Sequence, residues 1–395
     1  MIEDLASGVP PEVGPGPLAG LRVVELSTVV MGPLACRMLG DLGADVIKVE
    51  APEGDLIRHL TPGRSAGMSG FWLNLNRNKR SVSLDLKRPE DNAAFRSLVA
   101  SADVFVTNLR ERALTALAVD ADTLRAAHPE LVYCWATGFD AAGPYAGRAA
   151  YDDVIQAASG LAALFEAQRG EPAFVPSAIA DKIVALHIVY AVTAALLRRE
   201  RLGGGDSITI PMAEVLAAFN LVEHIGGHAF EPTIGSFGYA RTMSPQRRPR
   251  RSKDGWVCIL PYSDQNWLDF FAMAGLPHLA DDPRFATLSD RVDHVDELYE
   301  LLGDIVATRT TEEWLQLCHD ASIPAAPVVD LADVADDPQL GSSGLLRLAE
   351  HPSEGPYRVI ADPVSFDRGS GGVRRHAPRL GEHTDEVLSE LTDRG

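Results

Sequence analysis

The sequence predicts an α/β fold: a parallel, doubly wound sheet with a second, smaller body. Two observations carry this. From Leu21 to Ala136, short apolar strand-like runs alternate with helical stretches at the spacing of β-α-β units. After Ile225 the composition changes, because residues 226–253 are rich in Gly, Pro and Arg and read as a connector. The length of 395 residues, 46% of them apolar, suffices for one large and one smaller domain.

Taken in order, Leu21 to Leu26 reads as a strand and Gly32 to Gly43 as a short helix stopped by its last glycine. Ala44 to Glu50 is a second strand, ended by Pro52 and Gly54. Ser81 to Leu86 is a third, Pro89 to Ala102 a helix, and Val104 to Thr107 a fourth strand. A helix over Ala121 to Ala127 leads to a fifth strand, Leu131 to Ala136, which runs into Gly138. Further on, Ser207 to Ile210 reads as a strand and Met212 to Ile225 as a helix. The stretch from Gly255 to about Asp320 is one strand, Trp256 to Leu260, followed by helices. A strand at Tyr357 to Ile360 and a helix at His383 to Leu391 close the chain.

Lys+Arg number 36 and Asp+Glu 55, a formal charge of −19. This argues against a nucleic-acid binder and against attachment to an anionic membrane surface. It leaves room for an anionic small ligand, which needs only a local cluster of donors. Cys36, Cys134, Cys258 and Cys318 are scattered without C-x-x-C, which reads as reduced and cytoplasmic. Zinc-type spacing is absent, so no metal site is expected. Met1 to Gly20 is acidic and rich in Pro and Gly, unlike a signal peptide, and residues 1–17 read as a flexible tail.

The most informative residue is Asp181, at the head of a run from Ile183 to Leu197 that holds no Asp, Glu, Lys or Arg. That run reads as a helix buried on most sides and, at 15 residues, is too short for a membrane span. The carboxylate has two explanations. One is a helix N-cap, favoured by residue type and by the helix dipole. The other is a nucleophile partly sheltered from water, able to attack an activated acyl group.

Three other motifs carry less. Glu50 ends the second strand where dinucleotide folds place a ribose-binding acid, but the loop Ser27-Thr28-Val29-Val30-Met31-Gly32-Pro33 lacks the glycines that let a pyrophosphate approach. Gly63-Arg64-Ser65-Ala66-Gly67 matches a nucleophile elbow without the strand before it or the helix after it. Arg241 to Lys253 holds six basic residues and no acid; it is either a solvated connector or a rim attracting an anionic substrate.

Several segments, taken together and in order, resemble the class III CoA-transferases of the carnitine and formyl-CoA transferase (CaiB/BaiF) type. These are Gly43-Ala44-Asp45-Val46-Ile47-Lys48-Val49-Glu50, Asn76-Arg77-Asn78-Lys79-Arg80-Ser81, Gly138-Phe139-Asp140-Ala141-Ala142-Gly143-Pro144, Ala150-Tyr151-Asp152-Asp153-Val154, Ala180-Asp181 and Leu380-Gly381-Glu382-His383-Thr384. The resemblance implies a Rossmann-like large domain from both chain ends, residues 18–225 and 330–395. It also implies a linker at 226–254, a small α+β domain at 255–329, and two subunits interlinked as a homodimer. It places the catalytic carboxylate on Asp181, which would form a mixed anhydride with the acyl group and then a thioester with CoA before an acceptor acid completes the exchange. It also implies CoA contacts at Val29, Val30, Met31, Asn76, Lys79, Asn108, Arg110, Gly138, Tyr151 and Asp152. Acyl-CoA and a carboxylic acid are the expected partners, CoA entering as substrate and no cofactor being tightly bound.

Some positions depart from the family pattern. Ala51 and Ala116 stand where many relatives carry Arg, so Arg110 or Arg112 is expected to take over a phosphate contact. Val30 replaces the Gln of formyl-CoA transferases, which argues against formyl transfer. The related α-methylacyl-CoA racemases have His where this chain has Tyr151, and an unperturbed tyrosine, with a pKa near ~10, is a poor base at neutral pH. A racemase, a thioesterase and a non-catalytic CoA-binding subunit are the alternatives.

Overall fold

The computed structural model describes residues 15–369 and 372–392; most of the expected N-terminal tail, residues 1–14, lies outside them. Contacts divide the chain into two compact units. One holds the chain up to Ala158, Pro176–Leu216 and everything from Pro338; the other holds Ser159–Val175 and Ala217–Asp337.

The strand–helix alternation appears in the first unit as β1 (Arg22–Leu26), α1 (Met31–Asp41), β2 (Asp45–Glu50), α2 (Gly70–Leu75), β3 (Lys79–Ser83), α3 (Pro89–Ala100), β4 (Val104–Thr107), α4 (Glu111–Ala116), α5 (Ala121–Ala127), β5 (Val132–Thr137) and α6 (Asp152–Ala158). After α7 (Leu161–Arg169), which belongs to the second unit, come α8 (Ile179–Leu202), β6 (Asp206–Pro211) and α9 (Met212–His224), whose residues from Ala217 on belong to the second unit. The six strands form one parallel sheet in the order β3-β2-β1-β4-β5-β6. Winding therefore proceeds outward from β1 to one edge and from β4 to the other, and the direction switches between these two central strands. Both are buried almost throughout, as a sheet covered on two faces requires.

On one face Val24, Val49, Phe105 and Tyr133 pack against Phe95 and Leu98 of α3, Leu114 of α4 and Leu124 of α5. Successive strand residues point to opposite faces. Val23, Val46 and Cys134, each next to a member of that cluster, are thus buried on the other side. There α1 packs on α8, and α8 on β5 and β6. Helix α8 is 24 residues long, longer than the uncharged run alone, and by length and composition could cross a membrane. Its buried face, with Val184, Ile188 and Val192, is instead spent on the protein core.

In the second unit, α10 (Ala240–Met243) precedes β7 (Arg250–Arg251) and β8 (Trp256–Ile259). Then follow α11 (Asp264–Met273), α12 (Leu288–Asp293), α13 (Val295–Val306), α14 (Thr311–Asp320) and β9 (Ala325–Pro327). The helices enclose Trp267, Phe270, Phe271 and Trp314, with Phe270 stacked on Trp314 at 5.7 Å between centroids. The stretch read as a bare linker is tied into this unit. Arg241 Nε donates to the Tyr299 hydroxyl at 3.0 Å, Ser244 bonds Asp296, and Arg250–Arg251 pair with β8. Its Gly, Pro and Arg content conceals that anchoring, which is made by side chains distant in sequence.

The chain then returns to the first unit through α15 (Pro338–Ser342), β10 (Leu346–His351), β11 (Gly355–Ile360) and α16 (Thr384–Thr392). Val387 of α16 joins the sheet's core, and His383 N donates to Ser81 O at 2.9 Å.

Candidate active site

In open parallel sheets, ligands bind outside the carboxyl ends of the strands where the winding direction switches. A crevice lies at that place here. Its walls are the loop after β1 (Thr28–Met31), the loop after β4 (Asn108–Glu111) and the end of β5 with its loop (Trp135–Gly138, Arg148 and Tyr151). Asp181 closes it from α8, and Met212 from the end of β6. Gly138 is required where β5 turns out, because a Cβ there would collide with the Ala150 side chain.

Asp181 is not the N-cap of α8. The helix begins at Ile179, its cap position is Ala178, and no side chain caps it from there. The amide of Asp181 instead donates to Asp152 Oδ2 at 3.0 Å, so the neighbouring carboxylate satisfies one of the helix's orphan donors. Asp152 is fixed in turn by Gln156 Nε2, which donates to its Oδ1 at 2.6 Å. The Asp181 side chain is left half-buried and facing the crevice. Burial, and then the Asp152 charge, push its pKa up to about 7. A carboxylate whose charged form is poorly solvated and lacks a cation is a candidate for chemistry rather than for stability.

The family model for CoA-transferase family III matches residues 18–384. The chain belongs to that family. It is 33% identical over 386 residues to a succinate–glutarate CoA-transferase of Agrobacterium fabrum, covering 95% of this chain and 96% of that one. It is 31% identical over 381 residues to the β subunit of a succinyl-CoA–L-malate CoA-transferase of Chloroflexus aurantiacus, covering 95% and 94%. Among solved structures, it resembles a CaiB/BaiF family protein from Brucella suis with a TM-score of 0.80 and 32% identity, covering 95% and 99%. The chain is accordingly a CoA-transferase, an enzyme whose substrates are a CoA thioester and an acid.

Within this family III enzyme, Val29, Val30, Met31, Asn108, Arg110, Gly138, Tyr151 and Asp181 all line the one crevice, and Asp152 stands directly behind Asp181. Asn76 and Lys79 do not. Both are fully buried. Lys79 Nζ donates to Pro33 O at 2.8 Å and to Asn76 Oδ1 at 2.7 Å, and lies 2.8 Å from Glu25 Oε2. The CoA contact expected of Lys79 is therefore withdrawn: its charge is consumed inside the protein. Arg112 is exposed outside the crevice lining. Glu50 is no ribose acceptor, since Arg58 and Ser81 occupy its oxygens. Ser65 sits in a loop whose amide bonds Glu354, not at a strand–helix elbow.

Sequence reasoning missed Arg148. It lies in the loop after β5 with its guanidinium 3.9 Å over the Tyr145 ring, and it lines the crevice. Neither it nor Arg110 has a carboxylate within ion-pair distance among the described residues. The signal available was the spacing of Tyr145 and Arg148 within a Gly-rich loop, which is weak alone. Among the described residues no group of His, Cys, Asp and Glu could hold a metal ion.

Proposed function

We propose that this CoA-transferase moves CoA from an acyl-CoA to a free dicarboxylic acid through covalent intermediates on Asp181. The observation that carries this is Asp181 itself: among the described residues, a desolvated carboxylate without a cation, in a crevice that also holds two arginines without acidic partners. Asp181 attacks the thioester carbonyl and expels CoA thiolate, leaving a mixed anhydride. The thiolate returns to the aspartyl carbonyl, giving an aspartyl-CoA thioester and releasing the donor acid. The acceptor carboxylate attacks that thioester, and the thiolate, freed again, takes the acceptor acyl group and restores the Asp181 carboxylate. Partial shelter from water raises the carboxylate's nucleophilicity and protects both acyl intermediates from hydrolysis.

The choice of dicarboxylic acids rests on the names of the relatives, whose acids (succinate, glutarate and malate) all carry two carboxyl groups. Arg110 supplies positive charge for the CoA phosphates, and Arg148 for the phosphates or a distal carboxylate, in charge-assisted contacts worth about 1.5–3 kcal/mol each. A racemase would need a base beside the α-carbon, and among the described residues no histidine lines the crevice.

The assembly we propose is a homodimer of interlinked subunits in the cytoplasm. Supporting it, α8 leaves Leu186, Tyr190 and Leu197 at 55%, 60% and 51% exposure in the single chain. Such apolar surface on a helix calls for a cover. Sedimentation should then show a dimer at all accessible concentrations, and an active monomer at nanomolar protein would contradict it.

The test of the chemistry is Asp181→Asn, assayed with succinyl-CoA and glutarate. Turnover should fall by roughly four orders of magnitude or more, as for other deleted nucleophiles, with the fold intact. Wild-type-like transfer by the variant would sink the mechanism. Uptake of deuterium at the α-carbon of a 2-methylacyl-CoA, without CoA transfer, would favour a racemase.

A further inference from the structure

Val29 is a β-branched residue at φ +70° on the crevice wall. The left-handed region is strained for such a residue and persists only when the surroundings enforce it. Here three consecutive residues are each held by a side chain from elsewhere. Lys48 Nζ donates to Ser27 O at 2.7 Å. Asn108 brackets Thr28, its Oδ1 accepting from Thr28 N at 3.0 Å and its Nδ2 donating to Thr28 O at 2.9 Å. Asp55 accepts from Val29 N, at 3.2 Å to Oδ1 and 3.3 Å to Oδ2. Asp55 is itself buried and ion-paired to Lys48 at 3.1 Å, so two of the three clamps are joined. This loop makes the turn from β1 to α1 in the four residues Ser27–Val30.

We infer that Asp55 is a positioning residue of the transferase: while Asn108 holds Thr28, Asp55 locks Val29 in the left-handed conformation that shapes the CoA crevice before substrate arrives. Asn108 thus acts on the loop, its amide being spent on Thr28. Without Asp55, Val29 relaxes toward negative φ and the crevice wall shifts. CoA affinity then falls in proportion to the fraction of molecules that still hold the competent turn. Glycine adopts the left-handed conformation without that cost, so Val29→Gly should substitute for the missing clamp.

The inference rests on the crevice being the CoA site, and the experiment separates the two. CoA binding is measured by calorimetry, and melting temperature alongside, for Asp55→Ala, Asp55→Ala/Val29→Gly and Arg110→Ala. Asp55→Ala should weaken CoA about 10- to 100-fold, as for a competent turn populated at ~1–10%. The double variant should recover most of that affinity but not the melting temperature, because the ion pair with Lys48 remains lost. A merely structural role would give no such split. If Asp55→Ala does not fold, Asp55→Asn, with and without Val29→Gly, makes the same comparison. Unchanged CoA affinity in Asp55→Ala, or no recovery in the double variant, overturns the positioning role. Unchanged affinity in Arg110→Ala overturns the crevice itself.

Discussion

Glu25 and Asp181 are carboxylates of the same unit, both drawn out of water, and they stand at opposite ends of the acid scale. Burial alone would raise both. At Glu25 that effect is overcome by Lys48, 2.9 Å from Oε1, and Lys79, 2.8 Å from Oε2, which hold its pKa at about 2. At Asp181 nothing opposes it, and the charge of Asp152 adds to it, giving about 7. The β1–β3 region is a closed set of charges: Glu25, Lys48, Lys79 and Asp55 pair among themselves, and Glu50 pairs with Arg58. The crevice at the switch between β1 and β4 is open, with a carboxylate lacking a cation and two arginines lacking anions among the described residues. The difference teaches that burial does not mark a functional acid; burial without compensation does.

The comparison can be broken most forcefully at Glu25. Glu25→Gln leaves Lys48 and Lys79 buried with too little negative charge, and should destabilise the protein by about 3–5 kcal/mol, read by denaturant unfolding. A loss under about 1 kcal/mol, the worth of an exposed pair, would show the cluster to be solvated. Asp181→Asn should do the opposite. An acid whose folded pKa exceeds its unfolded value binds its proton more tightly when folded. Wild-type stability on this account is therefore lost as pH rises from 3.8 to about 7. The variant should gain on wild type across that window, by on the order of 1–4 kcal/mol above it. Equal stabilities at pH 8 would mean that Asp181 is not desolvated.

Smaller effects sharpen the picture. Because Asp181 must be ionised to attack, kcat/KM for acyl-CoA should rise with pH through a midpoint near 7. Asp152→Asn removes the like charge and should move that midpoint to more acidic pH; an unmoved midpoint would leave burial as the sole cause. Arg148→Ala should raise KM for acyl-CoA or for the acceptor, by about ten-fold for a lost charge-assisted contact. If it changes neither, Arg148 does no more than cover Tyr145.

Much of this was legible in the sequence, for a physical reason. The pattern alone marks the Asp at the head of a 15-residue uncharged run as either a cap or a nucleophile, and the family resemblance selects the second; strand–helix alternation sets the sheet. What could not be read was compensation. The Asn76-to-Ser81 segment looks basic and solvent-facing. The pattern sets the third strand at Ser81 to Leu86, whereas it runs over Lys79–Ser83, and the resemblance gives Lys79 to CoA. The Glu25 that neutralises Lys79 lies on a different strand, and only folding brings them together. The same holds for Asp152, whose role as acceptor for Asp181 N spans 29 residues, and for Arg148, which stands out only once its loop is seen to face Asp181.

The central claim is that Asp181 carries the group in transit. Protein incubated with succinyl-CoA alone, quenched in acid and digested for mass spectrometry, tests it most directly. A CoA thioester or succinyl adduct should appear on the peptide bearing Asp181 in the wild type, vanish on adding glutarate, and never form in Asp181→Asn. An adduct on another residue, or steady transfer with Asp181 unmodified, would contradict it.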